Sequence, residues 1–256
     1  MMILKEIGFG AGAFDEFLSE RDEPGWIIDQ RRAAFAAYQR KLGVPLNPEE
    51  WKRVDLRAFQ PRQFAIGTQS AAPAQFATLL ENRANFCGVV SHVDGACVAQ
   101  KLDEKYARKG VLFGSLVDMV REHRDVLEPH LLTRAVKPDA DRFAAWHAAF
   151  WTGGTVLYVP RNVTIDEPLY SLIGLSSANA ADFSHTLVIL EDGASATLLE
   201  ETSSATEEAA GLHVGAVELL VGKGANLRYV QLQNWNQHTW HFAHQAGVVE
   251  RDGSLQ

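Results

Sequence analysis

Basic residues are outnumbered in this chain. Lys and Arg total 24 against 32 Asp and Glu, a formal net charge of −8. A nucleic-acid binder needs a dense basic face to displace counterions, so nucleic acid is excluded as a main partner. Cysteine is almost missing: Cys87 and Cys97 are the only two. Two cysteines do not make a disulfide framework, and the expectation is a pair of reduced thiols in a cytoplasmic protein. No run of about 18 apolar residues occurs, so no membrane span is expected. Lys5 and Glu6 interrupt the first apolar residues, which predicts no secretory leader. Nucleotide motifs are lacking as well. Gly222-Lys223-Gly224 has no Ser or Thr after its Lys, and no Gly-x-Gly-x-x-Gly follows a strand. Nucleophile-elbow and HExxH patterns are absent.

What remains is ample apolar material. Of 256 residues, 46% are hydrophobic, enough for one large domain or two ordinary ones. The first half reads as helical. Ile28, Phe35, Tyr38 and Leu42 share a face over residues 28–42, and Gly43 and Pro45 end that helix. Residues 46–64 read as a short helix plus an extended connection. A helix over 73–84 is predicted from Phe76, Leu79 and Leu80. Asn85 to Ala99 changes texture: Asp94-Gly95 between apolar runs predicts a hairpin with a type I′ turn. Ser115, followed by Asp118, is expected to cap a helix. A last helix is expected over 139–150, with Phe143, Trp146 and Phe150 on one side and Gly153-Gly154 stopping it.

Beyond Gly154 the texture is β. Thr155 to Pro160, closed by its proline, Leu187 to Leu190, Ser195 to Leu199, Val214 to Val221 and Asn226 to Leu232 read as strands. A weak repeat marks their turns: Glu191-Asp192-Gly193-Ala194, Gly222-Lys223-Gly224-Ala225 and Arg251-Asp252-Gly253-Ser254. A fixed period with several strands per unit suggests stacked coils; a sandwich with two long hairpins would look similar.

Few constellations could carry chemistry. His238, His241 and His244 form a His-x-x-His-x-x-His run. In a strand, a three-residue step changes face, so His238 and His244 could share one side while His241 takes the other. That parity fails a metal site, and a solvated strand is the expectation. Cys87, His92 and Cys97 are spaced by five, which the hairpin explains without a metal. Glu200, Glu201, Glu207 and Glu208 flank a polar stretch and could supply a carboxylate pair, although a solvated loop is the expectation. No residue is assigned as catalytic, cofactor-binding or metal-binding.

Several stretches resemble one family. Asn47-Pro48-Glu49-Glu50-Trp51 through Asp55-Leu56, Lys109-Gly110-Val111-Leu112-Phe113, and above all Trp146 to Pro160 are similar to the SufB/SufD family of iron–sulfur cluster assembly proteins. His185 to Glu201 and Leu212 to Trp235 resemble its successive coils. Ile165-Asp166-Glu167-Pro168-Leu169 reads like SufD. The resemblance implies a mixed α and β fold, with an N-terminal helical region over 1–150, including a small hairpin near 85–99. A partial right-handed parallel β-helix over 151–256 follows. It implies a non-catalytic scaffold subunit working with SufB-like and SufC-like partners, SufC being the ATPase, and helping with iron supply. The nascent Fe–S cluster would form at the SufB–SufD junction, with no cofactor bound by this chain alone. The family's SufC-binding segment and cluster-building Cys and His positions lie further along than Gln256, so no ligand is carried over. The last coil is expected to be uncapped and to favour a homo-oligomer through its edge. The alternative reading is a β-helix or cupin-like enzyme acting on a carbohydrate or small acid, using the glutamates near 200 and 207 or the histidines near 238 to 244.

Overall fold

The structure is a computed structural model that describes residues 8–66, 76, 78, 79 and 85–256. The chain opens with helices α1 (Ala11–Ser19), α2 (Gly25–Leu42) and α3 (Pro48–Trp51), then a 3-10 turn at Pro61–Gln63 and strand β1 (Ala65–Ile66). A hairpin of β2 (Gly88–Val93) and β3 (Ala96–Leu102) comes next. It leads through α4 (Glu104–Ala107), β4 (Leu112–Ser115), α5 (Leu116–Glu122) and α6 (Arg124–Leu127) to α7 (Arg142–Phe150). Only strands follow: β5 (Thr155–Val159), β6 (Leu169–Leu175), β7 (Ala180–Asp182), β8 (His185–Leu190) and β9 (Ser195–Ser204). The last are β10 (Gly211–Val221), β11 (Asn226–Asn234), β12 (Thr239–Val249) and β13 (Ser254–Leu255). The helix expected over 73–84 lies largely outside the described residues.

The strands build a parallel β-solenoid of about three turns, which decides against the sandwich. One sheet runs β1-β7-β10-β8-β5-β4, with β12 also on β10; the other runs β13-β11-β9-β6-β2-β3. Successive coils stack in parallel register. Val156 pairs with Leu187 and His185 with Ala216, a step of 31 residues. Ser195 pairs with Asn226 at the same step, and Gly211 with Thr239 at 28. The turns stack too: the Gly193 N–H donates to the Lys223 carbonyl at 2.9 Å and the Gly224 N–H to the Arg251 carbonyl at 3.1 Å. Gly193 and Gly224 sit at φ +72° and +62°, the left-handed conformation that a Cβ disfavours. In the third turn that conformation falls on Asp252, at φ +61°, and not on Gly253.

The two faces of the first sheet are both covered. Inward, Leu157, Val188 and Leu219 meet Leu169, Leu198 and Leu227 of the other sheet in one apolar cluster. Outward, Val156, Leu187, Val214 and Leu220 pack beneath α1, α2 and α7 in a second cluster. This double burial explains why all eleven residues of β10 are buried and why its sequence hardly alternates. Aromatic rings fill the helical layer: Phe14 stacks on Phe35 at 4.1 Å, and Trp146 meets Phe183 edge-on at 5.2 Å.

The hairpin forms as expected, with Asp94 at φ +49° and Gly95 at φ +84°. It is also joined to the solenoid, because β2 pairs in parallel with β6 while β4 pairs antiparallel with β5. The capping expectation for Ser115 is corrected. Ser115 occupies the N-cap of α5, yet its hydroxyl makes no capping bond; its backbone N–H is taken by the Gln100 side chain at 2.9 Å instead. Asp141 does cap α7, accepting from the N–H groups of Phe143 and Ala144 at 2.7 and 2.9 Å. The same carboxylate meets His244 Nε2 at 2.8 Å, tying the helix to β12. Asp141→Ala is therefore expected to cost about 1–2 kcal/mol, read as a lower urea midpoint. A shift below about 0.3 kcal/mol would remove the cap from the account.

Candidate functional site

One end of the solenoid bore is lined by polar side chains. Strand alternation aims Thr155, Thr186, Ser171, Glu200 and Thr202 inward, past the end of the leucine layer. Thr155 and Ser171 share a hydrogen bond at 2.7 Å between their hydroxyls. Glu200, 1% exposed, accepts from the Thr186 hydroxyl, from Tyr229 OH at 2.8 Å and from Gln231 Nε2 at 3.2 Å. Burial and the neighbouring Glu200 carboxylate push the Tyr229 phenol up, so it stays a donor. Glu201 points the other way, outside the second sheet, and is buried there too. It accepts from the Leu79 N–H at 2.6 Å and from Tyr170 OH at 2.9 Å.

This corrects the solvated-loop reading of the glutamates. Glu200 and Glu201 lie within β9, both buried; only Glu207 and Glu208 are exposed. It also removes the carboxylate pair, since neighbours in a strand face opposite sides. Glu200 has three donors and no opposing acid, the pattern of a carboxylate that holds strands together.

The histidines separate as strand parity requires. His238 is exposed just before β12, with its N–H on the Asn236 side chain at 2.9 Å. His244 lies outside, on Asp141. His241 turns inward, which corrects its placement on a solvated face: it stacks on His213 at 5.0 Å with planes 4° apart and accepts from Trp235 Nε1 at 3.1 Å. Burial, then the neighbouring His213, lowers the His241 pKa to about 4. His213 is held in turn by Asp182, Nδ1 to Oδ2 at 2.7 Å. Burial alone would raise the Asp182 pKa, but the hydrogen bond and charge of His213 outweigh it and the net shift is downward. The Ser184 hydroxyl donates to the same carboxylate at 2.8 Å.

Sequence reading missed the rest of this buried polar set. His147 of α7 meets the Val214 carbonyl through Nδ1 at 2.7 Å and His185 Nδ1 through Nε2 at 3.0 Å. A carbonyl only accepts, so the His147 proton is on Nδ1 and His185 donates to Nε2. His185 Nε2 lies 3.2 Å from Glu218, at ion-pair distance but without hydrogen-bond alignment. Glu218 accepts from the backbone N–H groups of Leu132, Ala135 and Val136, pinning the segment that leads to α7. The signal that could have found these residues is the coil period itself. It places Asp182 beside His213, and His213 beside His241.

Chemically, the bore supplies carboxylates already engaged by hydrogen-bond donors and a stacked pair of imidazole rings. Among the described residues, no group of three or more His, Cys, Asp and Glu side chains converges to hold a metal ion. No described helix is long and apolar enough to cross a membrane.

Two family models match in tandem. The SufBD protein N-terminal region covers residues 16–170, and the SufBD core domain of the SUF system for FeS cluster assembly covers 173–256. The chain belongs to the SufBD family. The junction of the two SufBD regions falls inside β6, the strand where the solenoid takes up the hairpin. An iron–sulfur cluster assembly SufBD family protein of Staphylococcus epidermidis is 25% identical over 263 residues, covering 98% of this chain and 56% of that protein. Similar proteins of Staphylococcus saprophyticus and Staphylococcus aureus are 29% and 24% identical with the same coverage. The chain thus spans little more than half the length of the curated SufBD relatives it matches.

Proposed function

We propose that this SufBD chain is a SufD-like, non-catalytic scaffold subunit of a cytoplasmic SUF complex, supporting cluster assembly and iron supply beside SufB-like and SufC-like partners. In this reading the helical front over 1–150 braces a platform of coils over 151–256. The ATPase activity belongs to the SufC-like partner, and the nascent cluster is cargo at the junction of the two large subunits. The observation that carries it is the unbroken parallel ladder of β5, β8, β10 and β12 beneath the tandem family match. A closed ladder is rigid along its length and leaves pairing groups free only at its ends. The carbohydrate-enzyme alternative loses its carboxylate pair to the opposed faces of Glu200 and Glu201.

The test is co-purification. A tagged form extended to the length of its relatives is co-expressed with the SufB-like and SufC-like proteins of the same source. Capture of both supports the reading. Capture of neither ends it, and capture of a SufD-like chain in place of a SufB-like one would reassign the subunit type.

A further inference from the structure

A cavity of about 340 Å³ opens where the β2–β3 turn meets the start of the first coil. His92, Asp94, Cys97, Ser115, Asp118 and Thr152 are among its walls. His92 is 1% exposed and neither of its ring nitrogens makes a well-aligned hydrogen bond, the Gly154 backbone lying near without closing one. A buried imidazole left unsatisfied on both sides is costly and calls for an explanation. Cys97 is opposite His92 in the antiparallel register, so the two side chains emerge on one face from adjacent strands. A bulge breaks the ladder between Ser91 and His92 and leaves Val98 unpaired, resetting the face that Cys97 presents. Its thiol is free, half-buried, and makes only a long 3.6 Å contact with the Ala99 carbonyl.

Two other polar groups of the cavity, Asp94 and Arg21, are committed. Asp94 accepts from the hydroxyls of Ser176 and Ser177 at 2.6 and 2.8 Å. Arg21 is held by Glu23 at 3.2 Å and the Thr152 carbonyl at 3.3 Å. The Asp118 carboxylate adds negative charge near both His92 and Cys97. One nitrogen donor, one sulfur donor and a carboxylate field suit a cation of soft character more than an anion.

We propose that His92 and Cys97 form a two-ligand site for a single soft, thiophilic metal ion of the Cu(I) class. Binding exchanges the Cys97 thiol proton, released to solvent, for a metal–sulfur bond; the ring of His92 supplies the second bond. Two ligands suffice for such an ion, so the site needs no third converging side chain. The proposal does not depend on the assembly role of the chain.

The test uses the full 256-residue chain, reduced and freed of metal, titrated with Cu(I) against a chromophoric chelator. One equivalent is expected to bind. Cys97→Ser and His92→Leu should each weaken binding at least about tenfold, while Cys87→Ser, at the far end of the hairpin, should leave it unchanged. X-ray absorption of the loaded wild-type protein should show one sulfur and one nitrogen neighbour, a readout that does not require any variant to fold. Absence of one-equivalent binding, loss of binding in Cys87→Ser, full retention in His92→Leu, or two sulfur neighbours would each overturn the site.

Discussion

Replacing Glu23 with Ala should lower stability by about 3–5 kcal/mol, the cost of stranding a buried charge. The charge is that of Arg31. Its side chain is fully buried and Glu23 is 1% exposed. The pair is bidentate, with Arg31 Nε on one oxygen at 2.7 Å and Nη2 on the other at 2.8 Å. Nη1 reaches the Ala149 carbonyl at 3.2 Å, and the guanidinium lies 3.8 Å above the Trp151 ring. Burial lowers the Arg31 pKa to about 10 while Glu23 opposes it, so the group stays charged at neutral pH. One carboxylate therefore fixes α2 to the end of α7 and to Trp151, the residue that leads into the first coil. The double variant Glu23→Leu/Arg31→Met should recover much of the loss, since a pair replaced by apolar volume removes both desolvation costs. Urea midpoints of the two single variants and the double variant measure this. A Glu23→Ala loss below about 1 kcal/mol would show that Arg31 finds water or another acceptor.

The architecture was legible wherever the physics is periodic. Coils of equal length must repeat their turns, so Gly193 and Gly224 announced a step of 31 residues before any coordinate did. The third turn was read one residue late. The step shortens to 28 after β10, and the left-handed conformation passes to Asp252, a residue type that tolerates it. Strand β6 escaped notice because Leu-Tyr-Ser-Leu-Ile-Gly-Leu is buried on both faces and shows no alternation. Glu200 and Glu201 were misread for a related reason. Charge ordinarily marks solvent, but a solenoid with a polar bore and a covered outer wall offers two places to bury a carboxylate if donors are waiting. The donors Thr186, Tyr229 and Tyr170 lie 14 to 31 residues away in the chain, beyond any local motif. His92 and Cys97 were legible as a hairpin and illegible as a pair of unsatisfied groups, because satisfaction is a property of the surroundings.

Acid should unfold this protein well before its carboxylates protonate. His147 is fully buried, and burial followed by the neighbouring His185 lowers its pKa well below the usual histidine value. Burial of His92 lowers its pKa to about 4, against the pull of Asp182 and the Gly154 backbone. In the unfolded chain both rings take a proton near pH 6.5. Between that value and about 4 the unfolded state binds more protons than the folded one, so stability falls as pH falls. The stabilisation is complete above pH 6.5. For His92 alone the loss reaches about 3 kcal/mol at the bottom of the window, and His147 adds to it in the same direction. Asp182, whose pKa is lowered, enters only beneath the ordinary carboxylate range and leaves this window clear. Urea midpoints of the metal-free protein in chelator should therefore drop steadily from pH 7 to pH 4.5. His92→Leu, which carries no titrating group, should flatten part of that slope while shifting the neutral-pH value much less. A midpoint that holds level from pH 7 to pH 5 would mean that these rings reach solvent or a partner in the folded state, and the dry, neutral interior inferred around them would have to be given up.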